Sequence, residues 1–243
     1  MLIMRGVISG IKSAVRATNY TPMAKNVVPF QGFRLPEIRE FSVESSPACW
    51  NCQNKSALRQ NMICSDCGHL QDVNAGINYF KLLSFPTQFS LESQKLTKSF
   101  RQLQTIVHPD KYSNKTSREQ TNSADWSSLI NKAYKTLATP IERGQYLLQL
   151  EGEQMPQDNS ALNKEFLMAM MERNEEVEDA EDTKTLEDLN AQLIKELEGM
   201  SQKLNSLFEK KDLQGVKGTL VEMKYLLSIQ NSIKQKQQSL LGS

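Results

Sequence analysis

Seven apolar residues recur in steps of three and four between residues 183 and 211 of the chain. Such a repeat places one continuous apolar stripe along a helix, here Leu186, Leu189, Leu193, Leu197, Met200, Leu204 and Leu207. Two further helical patterns flank it, from Ala161 to about Asp179 and from Leu213 to about Gln238. Short connections between three amphipathic helices favour an antiparallel bundle. A dimeric coiled coil is the alternative, but breaks at Asp212 and Gly215 favour packing within one chain.

A second helical unit precedes this bundle and contains the tripeptide His108-Pro109-Asp110. Before the tripeptide, one helix carries an apolar stripe, and Pro109 ends it because proline lacks the helical donor. After the tripeptide, a second patterned helix begins, so a histidine and a carboxylate lie at the exposed corner between two helices. The stripes are Leu96, Phe100, Leu103 and Val107 on the first helix, and Leu129, Ala133, Tyr134 and Leu137 on the second.

The first of these two helices also has a basic side. Lys95, Lys98 and Arg101 lie opposite its apolar stripe, and Lys111 follows the tripeptide. An ordinary solvated face is one interpretation of these charges. Docking on an acidic partner is the other, since charge complementarity speeds association and fixes orientation. A short apolar helix stopped by Pro86 comes before, and Ser90 is the expected N-cap of the basic helix.

All four cysteines fall in one pattern, C-x-x-C, eleven residues, C-x-x-C, formed by Cys49, Cys52, Cys64 and Cys67. Two such knuckles complete a tetrahedron around one ion, and four thiolates leave no open position for a substrate, which is typical of structural zinc. Gly68 allows the second knuckle to turn. Two disulfides, a redox dithiol, or iron in place of zinc remain as alternatives, and His69 is interpreted as a bystander. Between the knuckles only Lys55 and Arg59 are basic, so no nucleic-acid surface is predicted.

The amino-terminal segment is basic. Five basic residues and no acid occur between Met1 and Pro36, although the whole chain has a formal net charge of only +1. The first sixteen residues interleave apolar and basic side chains, which is typical of a mitochondrial transit peptide. A merely disordered basic tail is the alternative. We expect transit peptide and linker over residues 1–46 and location in the mitochondrial matrix, with an additional cytosolic pool left open. No apolar run approaches the roughly 20 residues that span a bilayer.

The central unit resembles a J-domain, the co-chaperone module that stimulates ATP hydrolysis by a DnaK-type chaperone. The resemblance rests on the Tyr79–Leu83 helix, the basic helix, His-Pro-Asp, and the run from Ile130 to Leu137. It implies that His108, with Pro109, Asp110, Lys95, Lys98, Arg101 and Lys111, contacts the chaperone. Asp110 would be the essential anion, and His108 would shape the loop and donate within it. A Gly/Phe-rich linker and a repeated Cys-x-x-Cys-x-Gly-x-Gly domain are missing, which indicates a specialist.

A narrower resemblance covers residues 48 to about 238. The segment Thr139–Gly152 resembles the end of the J-domain in HscB-type proteins of iron–sulfur cluster biogenesis, and the preceding tetracysteine module is like that of their mitochondrial members. The implied fold class is all-α: a J-domain helical hairpin plus a C-terminal antiparallel three-helix bundle, preceded by a small tetracysteine zinc-binding module. The expected boundaries are 47–74 for the zinc module, 76–152 for the J-domain and 160–238 for the bundle.

The same resemblance implies the partners. A client patch for an IscU-type iron–sulfur scaffold is expected at Leu167, Met168, Met171, Glu172, Glu175 and Tyr225. Asn174 stands where bacterial relatives place an arginine. The implied function is that of a co-chaperone, not an enzyme, which binds the scaffold and activates a mitochondrial DnaK/HscA-type chaperone. No nucleic acid and no membrane are expected as partners, and the chain would be a monomer or self-associate weakly. A J-protein with a different client, and more remotely a zinc-ribbon nucleic-acid binder, are the alternatives.

Overall fold

The computed structural model describes residues 48–54, 58–59, 62–74, 76–156 and 162–241. The expected transit peptide and linker at residues 1–46 lie outside the described residues. Within those ranges the chain is mainly helical, as expected, and none of its helices is both long and apolar enough to span a membrane. The strands are β1 (Leu58–Arg59) and β2 (Ile63–Cys64), and the helices are α1 (Tyr79–Leu82), α2 (Ser93–Val107), α3 (Ser117–Ala138), α4 (Pro140–Leu150), α5 (Lys164–Asp179), α6 (Thr183–Glu209) and α7 (Leu213–Leu241).

The two strands form a small antiparallel hairpin in the cysteine module (residues 48–74), with Leu58 paired to Cys64 and Arg59 to Ile63. Helices α2 and α3 then pack against each other. The expected stripes contribute Leu96, Leu103, Val107, Ala133 and Leu137 as buried residues, and Phe100, Leu129 and Tyr134 as partly buried ones. Ile130, outside the expected stripe, is fully buried as well. A 3-10 turn, Pro109–Tyr112, connects them.

Side-chain caps fix several helix starts. Asn78, Thr116, Asn163 and Asp182 each accept a hydrogen bond from a backbone N–H in the first turn of α1, α3, α5 and α6. The prediction that Ser90 caps α2 is wrong. The N-cap is Glu92, whose carboxylate makes no cap bond and instead accepts from Lys95 Nζ at 2.7 Å.

The carboxy-terminal helices form the expected bundle, with small differences at their ends. Helix α5 begins at Lys164 rather than Ala161 because the Asn163 side chain accepts from the Phe166 N–H at 2.7 Å. Helix α7 continues to Leu241, beyond the expected end at Gln238. The bundle core consists of Met170, Val177, Ala180, Leu186, Leu193, Leu226, Ile229 and Ile233.

A second part of α6 and α7 packs against the J-domain-like unit. Leu204, Val216, Leu220 and Met223 belong to the same buried cluster as the α2–α3 core. Phe89 stacks on Phe208 with ring centroids 5.5 Å apart, and Lys217 is paired with Glu153 at 2.7 Å. The α2–α3 core therefore extends onto α6 and α7, which also contribute to the separate core of the bundle.

Candidate functional site

The His-Pro-Asp loop (residues 108–116) leaves the end of α2 and enters α3. His108 is extended at ψ 127°, which stops the helix and lets Pro109 begin the 3-10 turn. The His108 Nδ1 atom accepts from the Asp110 N–H at 3.3 Å, and the His108 carbonyl accepts from the Lys111 N–H at 2.9 Å. The histidine therefore acts as an acceptor within the loop, whereas the resemblance implied a donor. An accepting Nδ1 leaves the proton of a neutral ring on Nε2.

Both polar side chains of the tripeptide face solvent. The side chain of His108 is 55% exposed and that of Asp110 is 89% exposed, with Nδ1 and Oδ2 3.5 Å apart. A side chain this exposed contributes little to folding stability. The tripeptide is thus available for contact with another molecule, and the Asp110 carboxylate extends furthest into solvent.

Two buried side chains donate hydrogen bonds to the end of α2, where the loop begins. Ser123 Oγ on α3 donates to the Val107 carbonyl at 2.7 Å and so caps the end of α2. Tyr112 donates to the Ile106 carbonyl at 3.3 Å. Burial, followed by the nearby charge of Glu119, raises the pKa of Tyr112. Sequence reasoning missed Ser123, since a small polar residue on a helix gives no signal of its own.

The basic face (Lys95, Lys98 and Arg101) lies on the exposed side of α2, as expected from the sequence. Lys95 also forms an intrahelical pair with Glu92, both side chains being 68% exposed. Lys111 is exposed beside the His-Pro-Asp loop. The structure therefore brings four cations to the surface on α2 and in the turn that follows it.

The methionine patch (Leu167, Met168, Met171, Glu172, Glu175 and Tyr225) lies on α5 and α7. Met168 is 52% exposed and Met171 is 64% exposed, while the neighbouring Met170 is buried in the bundle core. Glu172, Glu175 and Asn174 are exposed, and Tyr225 is half-buried. Large exposed apolar side chains on a folded helix mark an interaction surface.

Two contacts missed by sequence reasoning hold the patch in place. Phe166 meets Tyr225 edge-to-face with centroids 6.1 Å apart, which joins α5 to α7. Arg173 donates two parallel hydrogen bonds of 2.7 Å to Glu196, which joins α5 to α6. The same pairing raises the pKa of Arg173 further above its usual range. Bidentate pairs of this kind are geometrically specific.

The four cysteines form a candidate metal centre. Their Sγ atoms all lie within 4.8 Å of one another, with 3.5 Å between Cys49 and Cys67 and 3.8 Å between Cys52 and Cys64. Four thiolates around one zinc ion, each at about 2.3 Å, stand about 3.8 Å apart. The donor set therefore fits one tetrahedral ion, and the His69 ring is not among the clustered ligands.

Each knuckle repeats the same turn. The N–H of Gln53 donates to Cys49 O at 2.9 Å, and the N–H of Gly68 donates to Cys64 O at 3.0 Å. Both residues have positive φ, 61° and 71°, so Gly68 serves the role expected of it. Backbone hydrogen bonds from Cys67 and Asp66 lower the pKa of the Cys64 thiol to about 6. At Cys52 a backbone hydrogen bond from Asn54 is outweighed by desolvation and by hydrogen bonds with the other thiols, which raise the pKa of Cys52 to about 12.

The cysteine module also docks on α3. Asn122 Nδ2 donates to the Leu70 carbonyl at 3.1 Å, and Trp126 Nε1 donates to the Gln71 carbonyl at 2.8 Å. Arg118 forms an ion pair with Asp72 and lies over the Trp50 ring at 4.8 Å. That pairing lowers the pKa of Asp72. Contacts across some fifty residues of sequence leave no periodic signal, and sequence reasoning did not find them.

Comparison with known proteins agrees with this architecture. A family model described as the HSCB C-terminal oligomerisation domain matches residues 162–234. The iron-sulfur cluster co-chaperone protein HscB of Mus musculus is 34% identical over 192 residues, which cover 78% of this chain and 82% of the mouse protein. The crystal structure of human HscB superposes with a TM-score of 0.74 at 32% identity, covering 79% of this chain and 98% of the human one. HscB from Vibrio cholerae gives a TM-score of 0.61 at 27% identity, covering 68% and 99%.

These findings define the class of protein as a J-type co-chaperone. The chain belongs to the HscB family.

Proposed function

We propose that the protein is a co-chaperone of iron–sulfur cluster assembly that binds an IscU-type scaffold and stimulates a mitochondrial DnaK/HscA-type chaperone. The methionine patch captures the scaffold. The His-Pro-Asp loop and the basic face then dock on the chaperone and promote ATP hydrolysis, so that the chaperone closes on the scaffold and the cluster moves on. The chain itself is an activator and carries out no hydrolysis.

One observation carries this proposal: a chain of the HscB family exposes both surfaces, and α6 and α7 pack both against the α2–α3 unit and against α5. The His-Pro-Asp loop belongs to the α2–α3 unit, and the methionine patch belongs to α5 and α7. Leu204, Val216, Leu220 and Met223 connect the two units through one buried cluster. A client held at the patch would then stand at a fixed distance from the loop that contacts the chaperone.

The chemistry of each surface suits its proposed partner. Met168 and Met171 offer flexible, polarisable side chains that adapt to an apolar partner surface, and the flanking Glu172 and Glu175 favour a partner with basic residues around that apolar centre. On α2, the basic face favours an acidic chaperone surface and raises the association rate. The Asp110 carboxylate reaches furthest and accepts a charge-assisted hydrogen bond from a cation of the chaperone.

The cysteine module holds one metal ion, which we assign as zinc, with iron as the alternative for an all-sulfur tetrahedral site. When bound, the ion supplies a closed structural centre and no open coordination position. Cys49, Cys52, Cys64 and Cys67 are its ligands. The basic, acid-free segment from Met1 to Pro36 supports import into the mitochondrial matrix, and the protein acts there as a monomer or with weak self-association.

Capture of the scaffold tests the patch assignment. The triple substitution Leu167→Ala, Met168→Ala and Met171→Ala removes the apolar centre, and we expect it to weaken binding of a purified IscU-type scaffold by a hundredfold or more, since buried interface anchors contribute about 2 kcal/mol or more each. Leu150→Ala is the matched control, because Leu150 is also exposed (41%) but lies at the end of α4. Undiminished binding by the triple variant, with an unchanged helical spectrum, contradicts the assignment.

A further inference from the structure

The cysteine module and the His-Pro-Asp loop both contact one short segment of α3. On the module side, Asn122 Nδ2 donates to the Leu70 carbonyl at 3.1 Å and to Asp72 Oδ1 at 3.0 Å. On the loop side, the adjacent Ser123 donates to the Val107 carbonyl at 2.7 Å. Asn122 is 5% exposed and Ser123 is fully buried. Neighbouring residues of one helical turn therefore hold the module and the start of the loop.

Glu119 makes a second connection one turn earlier. Its Oε1 accepts from the Leu70 N–H at 3.4 Å, and its Oε2 accepts from the hydroxyl of Thr116 at 3.2 Å. Thr116 is the last residue of the loop and the N-cap of α3, where its Oγ1 accepts from the Glu119 N–H at 3.3 Å. The Glu119 side chain is only 4% exposed. A buried carboxylate that loses a hydrogen-bond partner is costly, so the cap that ends the loop depends on where Leu70 lies.

The position of Leu70 depends in turn on the second cysteine knuckle. The N–H of Gln71 donates to Met62 O at 2.8 Å, and the N–H of Cys64 donates to His69 O at 3.1 Å. With a metal ion bound, Cys64 and Cys67 would close the turn between these two segments. Met62 and Leu70 are fully buried in the same cluster as Trp126 and Val107, so the knuckle and the α2–α3 core share side-chain contacts.

We infer that the cysteine module is a metal-dependent brace for the His-Pro-Asp loop, with Glu119 and Asn122 as the positioning residues that transmit its state. This inference rests on the proposed function for its consequence in the chaperone cycle, although its physical content is independent of any partner. With metal bound, residues 69–72 hold the first turns of α3 and the Thr116 cap. Without metal, these turns and the loop fluctuate more widely, while α5, α6 and the distal half of α7 keep their own core.

Hydrogen exchange on the full chain measures the brace directly. We expect removal of the metal with a chelator to speed exchange in peptides spanning residues 108–123 by about tenfold, the factor that corresponds to losing one or two net hydrogen bonds. Peptides from 164–200 should not change, and added Zn²⁺ should restore slow exchange. Equal exchange of residues 108–123 with and without metal overturns the inference, and so does faster exchange spread evenly over the whole chain.

A variant that retains the four cysteines tests the hydrogen bonds between Asn122 and the cysteine module. Asn122→Ala removes both of its hydrogen bonds to the module but leaves the four cysteines in place. We expect it to retain its metal, to show faster exchange over residues 108–116, and to respond less than wild type to subsequent metal removal, because of the two positioning residues only Glu119 still contacts Leu70. Thr121→Ala is the matched control, because the Thr121 hydroxyl bonds only within α3, to Ser117 O at 3.1 Å. Wild-type exchange in Asn122→Ala, or the same change in Thr121→Ala, overturns the role of Asn122.

The chaperone readout separates this inference from the proposed function. If the brace matters in the chaperone cycle, the concentration of this protein that gives half-maximal ATPase stimulation should be about tenfold higher without metal. This is the same factor as expected for hydrogen exchange. His108→Gln removes the acceptor of the Asp110 N–H, so it should abolish stimulation yet leave the metal content and the exchange of residues 117–123 unchanged. Normal stimulation by His108→Gln contradicts the proposed function, whereas metal-independent exchange contradicts the brace.

Discussion

Adjacent side chains on α5 differ sharply in exposure, so the local sequence does not show which of them face solvent. Met170 is 5% exposed and Met171 is 64% exposed. The sequence indicates that one member of each adjacent apolar pair lies off the central stripe of α5. It does not indicate which, because the orientation is set by Phe166 against Tyr225 and by Arg173 against Glu196. Those are contacts with other helices, and a local pattern carries no information about them.

The N-cap of α6 predicts a pH dependence at the residue scale. Hydrogen bonds from the Thr185 hydroxyl and then from its backbone N–H lower the pKa of Asp182 below 3.8. A carboxyl whose folded pKa is lowered contributes stability above its unfolded pKa, and that contribution is lost as pH falls through the folded pKa. Asp182→Ala should therefore lower the melting temperature at neutral pH, and the difference from wild type should shrink in acid below pH 3.8.

Thermal melts monitored by circular dichroism over a pH series check this expectation. The control is Asp188→Ala, which removes an exposed carboxyl six residues further along the chain, within α6. A pH-independent difference between Asp182→Ala and wild type would show that the carboxylate does not act as the cap.

At the scale of whole elements, spacing predicted most of the fold. The residues of the predicted stripes of α2, α3 and α6 are buried or partly buried, because helical period and burial are coupled within a single element. The caps at Glu92 and Asn163 were missed, since several polar residues near each helix start are chemically able to cap. The docking of the cysteine module on α3 was also missed, because hydrogen bonds between Leu70 and Asn122 join residues that are far apart in sequence.

The contact between α4 and α7 gives a prediction at the same scale. A Cβ on Gly144 would stand 2.8 Å from Leu220 Cδ2, and Leu220 is fully buried. We expect Gly144→Ala to lower the free energy of unfolding by about 1–3 kcal/mol through overpacking. Gly199→Ala is the control, because a Cβ there meets nothing within 4 Å, and in a helix interior it should stabilise by about 0.5–1 kcal/mol. Urea unfolding measures both, and equal effects of the two substitutions would contradict close packing at Gly144.

For the molecule as a whole, we expect the stability of the fold to depend on the metal bound by the cysteine module. We expect about one zinc per chain by elemental analysis, because four thiolates form one closed site. The double substitution Cys49→Ser and Cys52→Ser should remove the metal and lower the melting temperature, since metal binding contributes to folding. Iron with visible absorption would overturn the assignment of zinc, and a metal content unaffected by the substitutions would overturn the site.

Contacts between the two helical units also hold the two proposed surfaces relative to each other. Phe89 on Phe208 and Lys217 with Glu153 connect the α1–α4 unit to α6 and α7. The sequence predicted both helical units and both surfaces, but not this connection, because Phe89 and Glu153 lie outside the helices and carry no periodic signal. Through this connection, a scaffold at the methionine patch and a chaperone at the His-Pro-Asp loop would be held by one body.

The most direct test is steady-state ATP hydrolysis by the DnaK/HscA-type chaperone, measured with wild type and with Asp110→Asn, each with and without the IscU-type scaffold. We predict stimulation by wild type, a further increase with scaffold, and about a ten- to hundredfold loss for Asp110→Asn, the factor expected from one charge-assisted hydrogen bond of about 1.5–3 kcal/mol. The free energy of unfolding should change by less than about 0.5 kcal/mol, because the Asp110 side chain is 89% exposed. Equal stimulation by wild type and Asp110→Asn would contradict the account.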